Sequence, residues 1–216
     1  MNDFLSYIEL HAERLAWQAS EHAVVVAVAV LLATVVGLAT GMATWRSRFF
    51  SSAAVGISGV FLTVPSFALL GLLIPLLGLG WKPVLTALTG YALLPVVRNT
   101  VVGLQGVRPE VVEAARGSGM RTWKIMLAVR LPLAWPVILS GIRLSTQLTI
   151  GIAAIAAYVA GPGLGNEIFG GLSRLGSVNA LDQALAGTLG VVLLALCFDA
   201  FFAMVRHLTT PRGLRG

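Results

Sequence analysis

Ala23-Val-Val-Val-Ala-Val-Ala-Val-Leu-Leu-Ala-Thr-Val-Val-Gly-Leu-Ala-Thr-Gly-Met-Ala-Thr-Trp45 is the stretch on which the fold turns. It contains no charged residue, and an α-helix over it rises 1.5 Å per residue, enough to cross about 30 Å of hydrocarbon. Its small residues Gly37 and Gly41 are four apart, a spacing that lets a second helix approach closely.

Working outward, the same chemistry recurs. The chain has 216 residues, 57% hydrophobic and 11% charged, where a soluble domain carries about 25% charged residues. Residues 49–81 are uncharged. That run is expected to hold one crossing (about 52–78), kinked at Pro65 and broken between Pro75 and Gly80, because each proline removes a backbone donor. Further crossings are expected at about 83–105, 133–158 and 183–205, giving an all-α membrane protein with about five transmembrane helices. Residues 1–21 interleave Phe4, Leu5, Ile8, Leu15 and Trp17 with Glu9, His11, Glu13 and Arg14. They predict an amphipathic segment lying on the membrane. Its acidic start is unlike a cleavable signal, which begins basic. Residues 161–182 read as a glycine-rich loop, and 207–216 as a short basic tail.

The charge of +6 raises nucleic acid as a partner, but the basic residues flank apolar runs rather than forming one face, so membrane lipid is expected and nucleic acid is not. With the loop 106–132 placed in the cytoplasm, five crossings put the N-terminus outside and the C-terminus inside. The inner segments then hold Arg46, Arg48, Arg108, Arg116, Arg121, Lys124, Arg130, Arg206, Arg212 and Arg215, ten of the fifteen basic residues. That is the orientation the positive-inside rule selects. Arg98 and Arg143 fall within crossings, toward their inner ends; they either snorkel to the head groups, line the inner mouth of a pathway or pair with a neighbouring subunit. Asp199 also falls in a crossing, with no partner assigned. Cys197 is the single cysteine, so no intrachain disulfide forms. His11, His22 and His207 have no metal-ligand spacing, no nucleophile–base set is present, and no phosphate loop occurs. The chain is therefore expected to bind no cofactor or metal and not to be an enzyme.

Thr63-Val-Pro-Ser66 surrounds the expected kink. Non-helical backbone at membrane depth needs protein or water around it, so Thr63, Pro65 and Ser66 are candidates for pathway lining, with plain helix packing as the alternative. Asn99, beside Arg98, joins that set. Tyr91 and Tyr158 are the aromatic candidates, set against a packing or interfacial role.

The loop reads Glu113-Ala114-Ala115, three residues, Gly119, nine residues, then Val129-Arg130-Leu131-Pro132. Pro109 suits a first helical turn, and Glu110 and Glu113 suit the positive end of the helix dipole. Gly117 and Gly119 end that helix, and a second short helix over 121–129 is expected to stop before Pro132. The result is a compact knob outside the membrane. The spacing resembles the EAA loop of permeases of binding-protein-dependent ABC importers, with Val129 in place of isoleucine. The resemblance implies the type I importer permease fold and a bacterial inner-membrane location. It also implies that Glu113, Ala114, Ala115, Gly119, Val129, Leu131 and Pro132 form the loop that couples to a separate ATP-binding subunit pair, which holds ATP and magnesium. A second permease subunit and an extracytoplasmic solute-binding protein are implied with it. The stretches 61–78, 97–100, 136–143 and 161–165 are similar to the osmoprotectant permeases, which implies import of glycine betaine, choline or carnitine. An amino-acid importer, for instance for methionine, would carry the same loop. A channel or secondary transporter independent of ATP is the alternative of a different class.

Overall fold

A computed structural model describes residues 2–209, and the backbone there is helical almost throughout, without strands. The helices are Asn2–Leu10 (α1), Ala12–Thr44 (α2), Arg48–Thr63 (α3), Ser66–Leu77 (α4), Trp81–Gln105 (α5), Pro109–Gly117 (α6), Thr122–Ile125 (α7), Leu131–Ile155 (α8), Gly165–Leu172 (α9) and Ala180–Thr209 (α10). A π-helical turn, Met126–Arg130, joins α7 to α8, and a 3-10 turn, Ala156–Val159, follows α8. Four segments are long and apolar enough to cross a membrane: α2, α5, the continuous rod Thr122–Val159, and α10. The pair α3 and α4, bent by 93°, passes the same test together and counts as a fifth when the two are taken as one broken span.

α5 occupies the centre, with α2 on one side and α8 on the other. Glycine sets the approach on both sides. A Cβ at Gly37 would stand 2.6 Å from Val96 Cγ1, and one at Gly41 2.5 Å from Thr100 Cγ2, so the small-residue pair in α2 is the seat of α5. Gly141 of α8 does the same against the Pro95 carbonyl at 2.6 Å. The Ser145 hydroxyl donates to the Ala92 carbonyl (2.7 Å), completing the α5–α8 contact.

The helix ends sort into two layers. At one end, Gln105 Nε2 donates to the Trp45 carbonyl (2.9 Å), Arg130 donates to the Leu104 carbonyl (3.2 Å), and Trp135 Nε1 donates to Thr209 Oγ1 (2.8 Å). These bonds gather the ends of α2, α5 and α10 around the π turn and the start of α8. At the opposite end, the Gly80 N–H donates to the Val159 carbonyl (2.8 Å) and α9 packs on α10.

The structure departs from the sequence reading at four places. The segment 1–21 is not one interfacial helix: His11 (φ −114°) interrupts it, and from Ala12 it is already the start of the first spanning helix. Its ring stacks on Tyr7 (4.2 Å between centroids), and its Nδ1 donates to the Tyr7 carbonyl. The kink in 52–78 is a full break. Pro65 bars its predecessor from the helical region, Val64 is extended (ψ 128°), and α4 departs at 93°. Pro75, in contrast, is carried inside α4, and the chain turns only at Gly78 and Gly80, both with positive φ. The helix over 121–129 does not stop before Pro132. Pro132 lies in the first turn of α8, where a missing N–H is least costly, and the π turn before it keeps α7 and α8 one rod. Finally, the loop 161–182 contains α9. Residues 210–216, with most of the basic tail, lie outside the described residues.

Candidate functional site

The knob is built by α6 and α7. Val107, Val112, Ala115 and Ile125 are buried and join the knob to the hydrophobic cluster of the bundle. Helix α6 ends in a Schellman motif: the Met120 N–H donates to the Ala115 carbonyl (3.2 Å) and the Gly119 N–H to the Arg116 carbonyl (2.9 Å). That motif requires a left-handed residue, and Gly119 supplies it with φ +81°. The seven loop candidates therefore divide. Glu113, Ala114 and Gly119 are exposed, and Pro132 is exposed at the root. Ala115 faces the inside of the knob, and the half-buried Val129 and Leu131 pack against the bundle core. The knob is pinned by Arg130, whose guanidinium lies 4.3 Å over the Trp45 ring while it donates to Leu104. Glu113 looks into a cleft of about 570 Å³ that Arg46, Arg48, Arg116 and Arg130 also line.

The pathway candidates are dispersed along the bundle. Thr63, Pro65 and Ser66 surround the helix break; Thr63 is exposed and its hydroxyl donates to the Val60 carbonyl. Tyr91 is 3% exposed and lies against the same break from inside. Its hydroxyl donates to the Val64 carbonyl (2.6 Å), satisfying a group the break leaves without a helical partner. Tyr91 is thus packed inside the bundle of this chain. Arg98 is exposed, and Asn99 Nδ2 donates to the Pro95 carbonyl. Arg143 pairs with Asp199: Nη2 lies 2.6 Å and Nε 2.8 Å from Asp199 Oδ1, to which Gln147 Nε2 also donates at 3.0 Å. Both charges are about a third exposed, and Arg143 is paired within the chain. Tyr158 is 59% exposed and meets Phe67 and Phe169 edge to face, at 4.6 and 4.7 Å between centroids.

Two groups escaped the sequence reading. Glu167, 2% exposed in the first turn of α9, holds Arg14 in a two-pronged pair (Nε–Oε1 2.9 Å, Nη2–Oε2 3.0 Å) and accepts from the Tyr7 hydroxyl (3.0 Å). Burial, aided by the hydrogen bond to Glu167 and its charge, pushes the Tyr7 hydroxyl above the ordinary tyrosine range, so it remains a donor. Phe169 is the other, hidden in the stretch taken for a loop. Only an acidic residue amid glycines marked that stretch as unusual.

Apolar rods gathered around a central helix, with a capped knob projecting from one end, define a polytopic membrane transport subunit. The chain belongs to the family of binding-protein-dependent transport system inner membrane components, whose profile matches residues 24–209. It is 35% identical over 216 residues to the glycine betaine/carnitine/choline transport system permease protein OpuCB of Bacillus subtilis, covering 100% of this chain and 98% of that one. It is 38% identical to the osmoprotectant import permease protein OsmW of Salmonella typhimurium, covering 99% and 100%. In solved structures, the inward-facing methionine ABC transporter MetNI aligns with a TM-score of 0.76 at 21% identity, over 91% of this chain and 96% of that one. The fold is that of the type I ABC importer permeases, and the protein is a multi-pass component of the inner membrane.

Proposed function

We propose that this chain is a permease subunit of an ATP-driven importer for osmoprotectants such as glycine betaine, choline or carnitine. The observation that carries the substrate class is the end-to-end likeness to relatives named for those solutes, at 35% and 38% identity. In this reading the knob end is cytoplasmic. Glu113, Ala114 and Gly119 present the exposed surface of α6 to a separate ATPase pair, which binds ATP and magnesium, while Ala115, Val129 and Leu131 keep the knob rigid and rooted. Two permease subunits, the second a copy or a relative, enclose the pathway, and a solute-binding protein delivers from the other side.

The rod Thr122–Val159 gives this coupling a physical path. Its 38 residues amount to about 57 Å of helix at 1.5 Å per residue. It begins in the knob, carries Arg143 in the membrane and ends at Tyr158 on the opposite face. A tilt imposed on the knob by ATPase closure is thereby delivered across the bilayer without a joint, as a two-state rearrangement requires.

The test is reconstitution of the chain with its ATPase, any second permease and the binding protein in liposomes, followed by ATP hydrolysis with glycine betaine, choline, carnitine and an amino-acid panel. Stimulation by a quaternary ammonium solute, weakened by Glu113→Ala, is the expected result. Stimulation by an amino acid alone would overturn the substrate class, and solute flux without an associated ATPase would overturn the importer reading.

A further inference from the structure

Resting on the osmoprotectant reading, we infer that Phe67, Tyr158 and Phe169 form a way-station for quaternary ammonium groups at the end of the pathway opposite the knob. Three elements build it: the start of α4 just after the break, the 3-10 turn that ends the rod Thr122–Val159, and α9. Phe67 and Tyr158 are 54% and 59% exposed. Edge-to-face angles of 82° and 80° set the rings as a corner, in which each contact occupies one face of one ring and the exposure of Phe67 and Tyr158 leaves further ring surface open. Beside Tyr158 and Phe169 opens a cavity of about 570 Å³, bounded also by Ala157, Asn166, Gly170 and Ser173. That volume lies within the range of small-molecule sites, roughly 300–1,000 Å³.

The lining selects the ligand class. Among the described residues, no charged side chain borders the cavity. Both side-chain N–H groups of Asn166 are engaged by the Gly161 and Gly163 carbonyls, and the Ser173 hydroxyl donates to Gly170. A metal ion or a primary ammonium is held best by carboxylates, whereas the side-chain oxygens of this lining, on Asn166, Ser173 and Tyr158, are all neutral. A quaternary ammonium has no N–H to satisfy and is drawn to aromatic faces by their quadrupole. Tyr158 terminates the rod that begins in the knob, so the corner is the place where a knob movement would grip or release the cation.

The experiment uses the complete reconstituted assembly with glycine betaine as the transported probe. It also uses the permease–ATPase complex without binding protein, with choline N-methyl proton line-broadening as a direct readout. Tyr158→Leu and Phe169→Leu are expected to raise the half-saturating glycine betaine concentration about tenfold and to abolish the choline broadening. Tyr158→Phe, which keeps the ring, is expected to retain both. Co-elution of each variant with the ATPase and an unchanged thermal midpoint identify the folded ones. Wild-type transport of glycine betaine with Tyr158→Leu and Phe169→Leu folded and indistinguishable from it overturns the way-station and leaves the importer reading standing. A wild-type assembly that responds to no quaternary ammonium solute overturns both.

Discussion

Arg14 and Glu167, 153 residues apart in the chain, meet as a two-pronged ion pair that fastens the N-terminal region to α9. The carboxylate is almost fully buried while the arginine is half exposed, so the two partners are not equivalent. Removing Arg14 strands a buried charge; removing the Glu167 charge leaves an arginine that water still reaches. Arg14→Ala is expected to cost about 1–2 kcal/mol, discounted for the exposure of the guanidinium. Glu167→Gln is expected to cost less, and the double variant less than the sum of the two. Thermal unfolding of the detergent-solubilised protein checks this; additive losses would mean the pair carries no coupling.

Tyr7 adds a pH signature to the same clasp. Its folded pKa is raised, so the contribution is fully present below the ordinary tyrosine value of about 10 and is lost as pH rises through the higher folded value. Wild-type stability is therefore expected to fall above about pH 10. Tyr7→Phe should start lower and show a shallower fall; an equally steep fall in the variant would assign the loss to other groups.

At the other end, Gly119 is held at φ +81° by the Schellman bonds that close α6. A Cβ there would meet nothing within 4 Å, so the cost of substitution is conformational alone, about 1 kcal/mol for a left-handed residue with a side chain. Gly119→Ala is expected to fold, with a modestly lower unfolding midpoint, and to weaken ligand-stimulated ATP hydrolysis in the reconstituted assembly several-fold by altering how α6 is presented. Full coupling in the variant would show that the cap geometry is not used.

The spans and the knob were legible because both rest on local energies. Uncharged runs declare their solvent, Pro109 opens a helix, and Gly119 closes one within a few residues of each other. Pro65 likewise marked the break in α3–α4. What stayed hidden depended on topology or on relief of a local rule. Nothing in the sequence says that Tyr91 reaches the carbonyl freed at Val64, 27 residues away, or that Asp199 answers Arg143. Pro132 looked like a stop because the π turn that accommodates it leaves no sequence mark. Phe169 was lost with α9, whose glycines read as loop but serve close packing: a Cβ at Gly171 would lie 2.5 Å from the Ala180 carbonyl of α10.

The α2–α5 seat makes a sharper packing prediction. Gly41→Ala drives a methyl into Thr100, which is fully buried and cannot yield. The expected cost is about 1–3 kcal/mol, as for other overpacked cores. Gly56→Ala in α3, where a Cβ meets nothing within 4 Å, is the matched control and is expected to be neutral or slightly stabilising. Equal effects at the two positions in detergent unfolding would show that the close approach of α2 to α5 is not the reason for glycine at 41.

The Arg143–Asp199 pair joins α8 to α10 inside the bilayer, with Gln147 donating to the same carboxylate oxygen. Hydrocarbon cannot solvate either charge, and insertion scales set the cost of an isolated one on the order of 2.5–3.5 kcal/mol at a helix centre. The pairing of the two charges offsets part of that cost. Asp199→Asn is therefore expected to destabilise the protein by about 1–2 kcal/mol, since Arg143 then lacks a counter-charge. Arg143→Met combined with Asp199→Leu is expected to recover most of the loss, because an apolar pair needs no solvation in the membrane. A double-mutant cycle on unfolding midpoints measures the coupling. Recovery of stability without recovery of solute-stimulated ATP hydrolysis would assign the pair to the transport cycle. Recovery of both would assign it to holding α10 against α8, and no recovery of stability would mean that the two charges do not act as a pair.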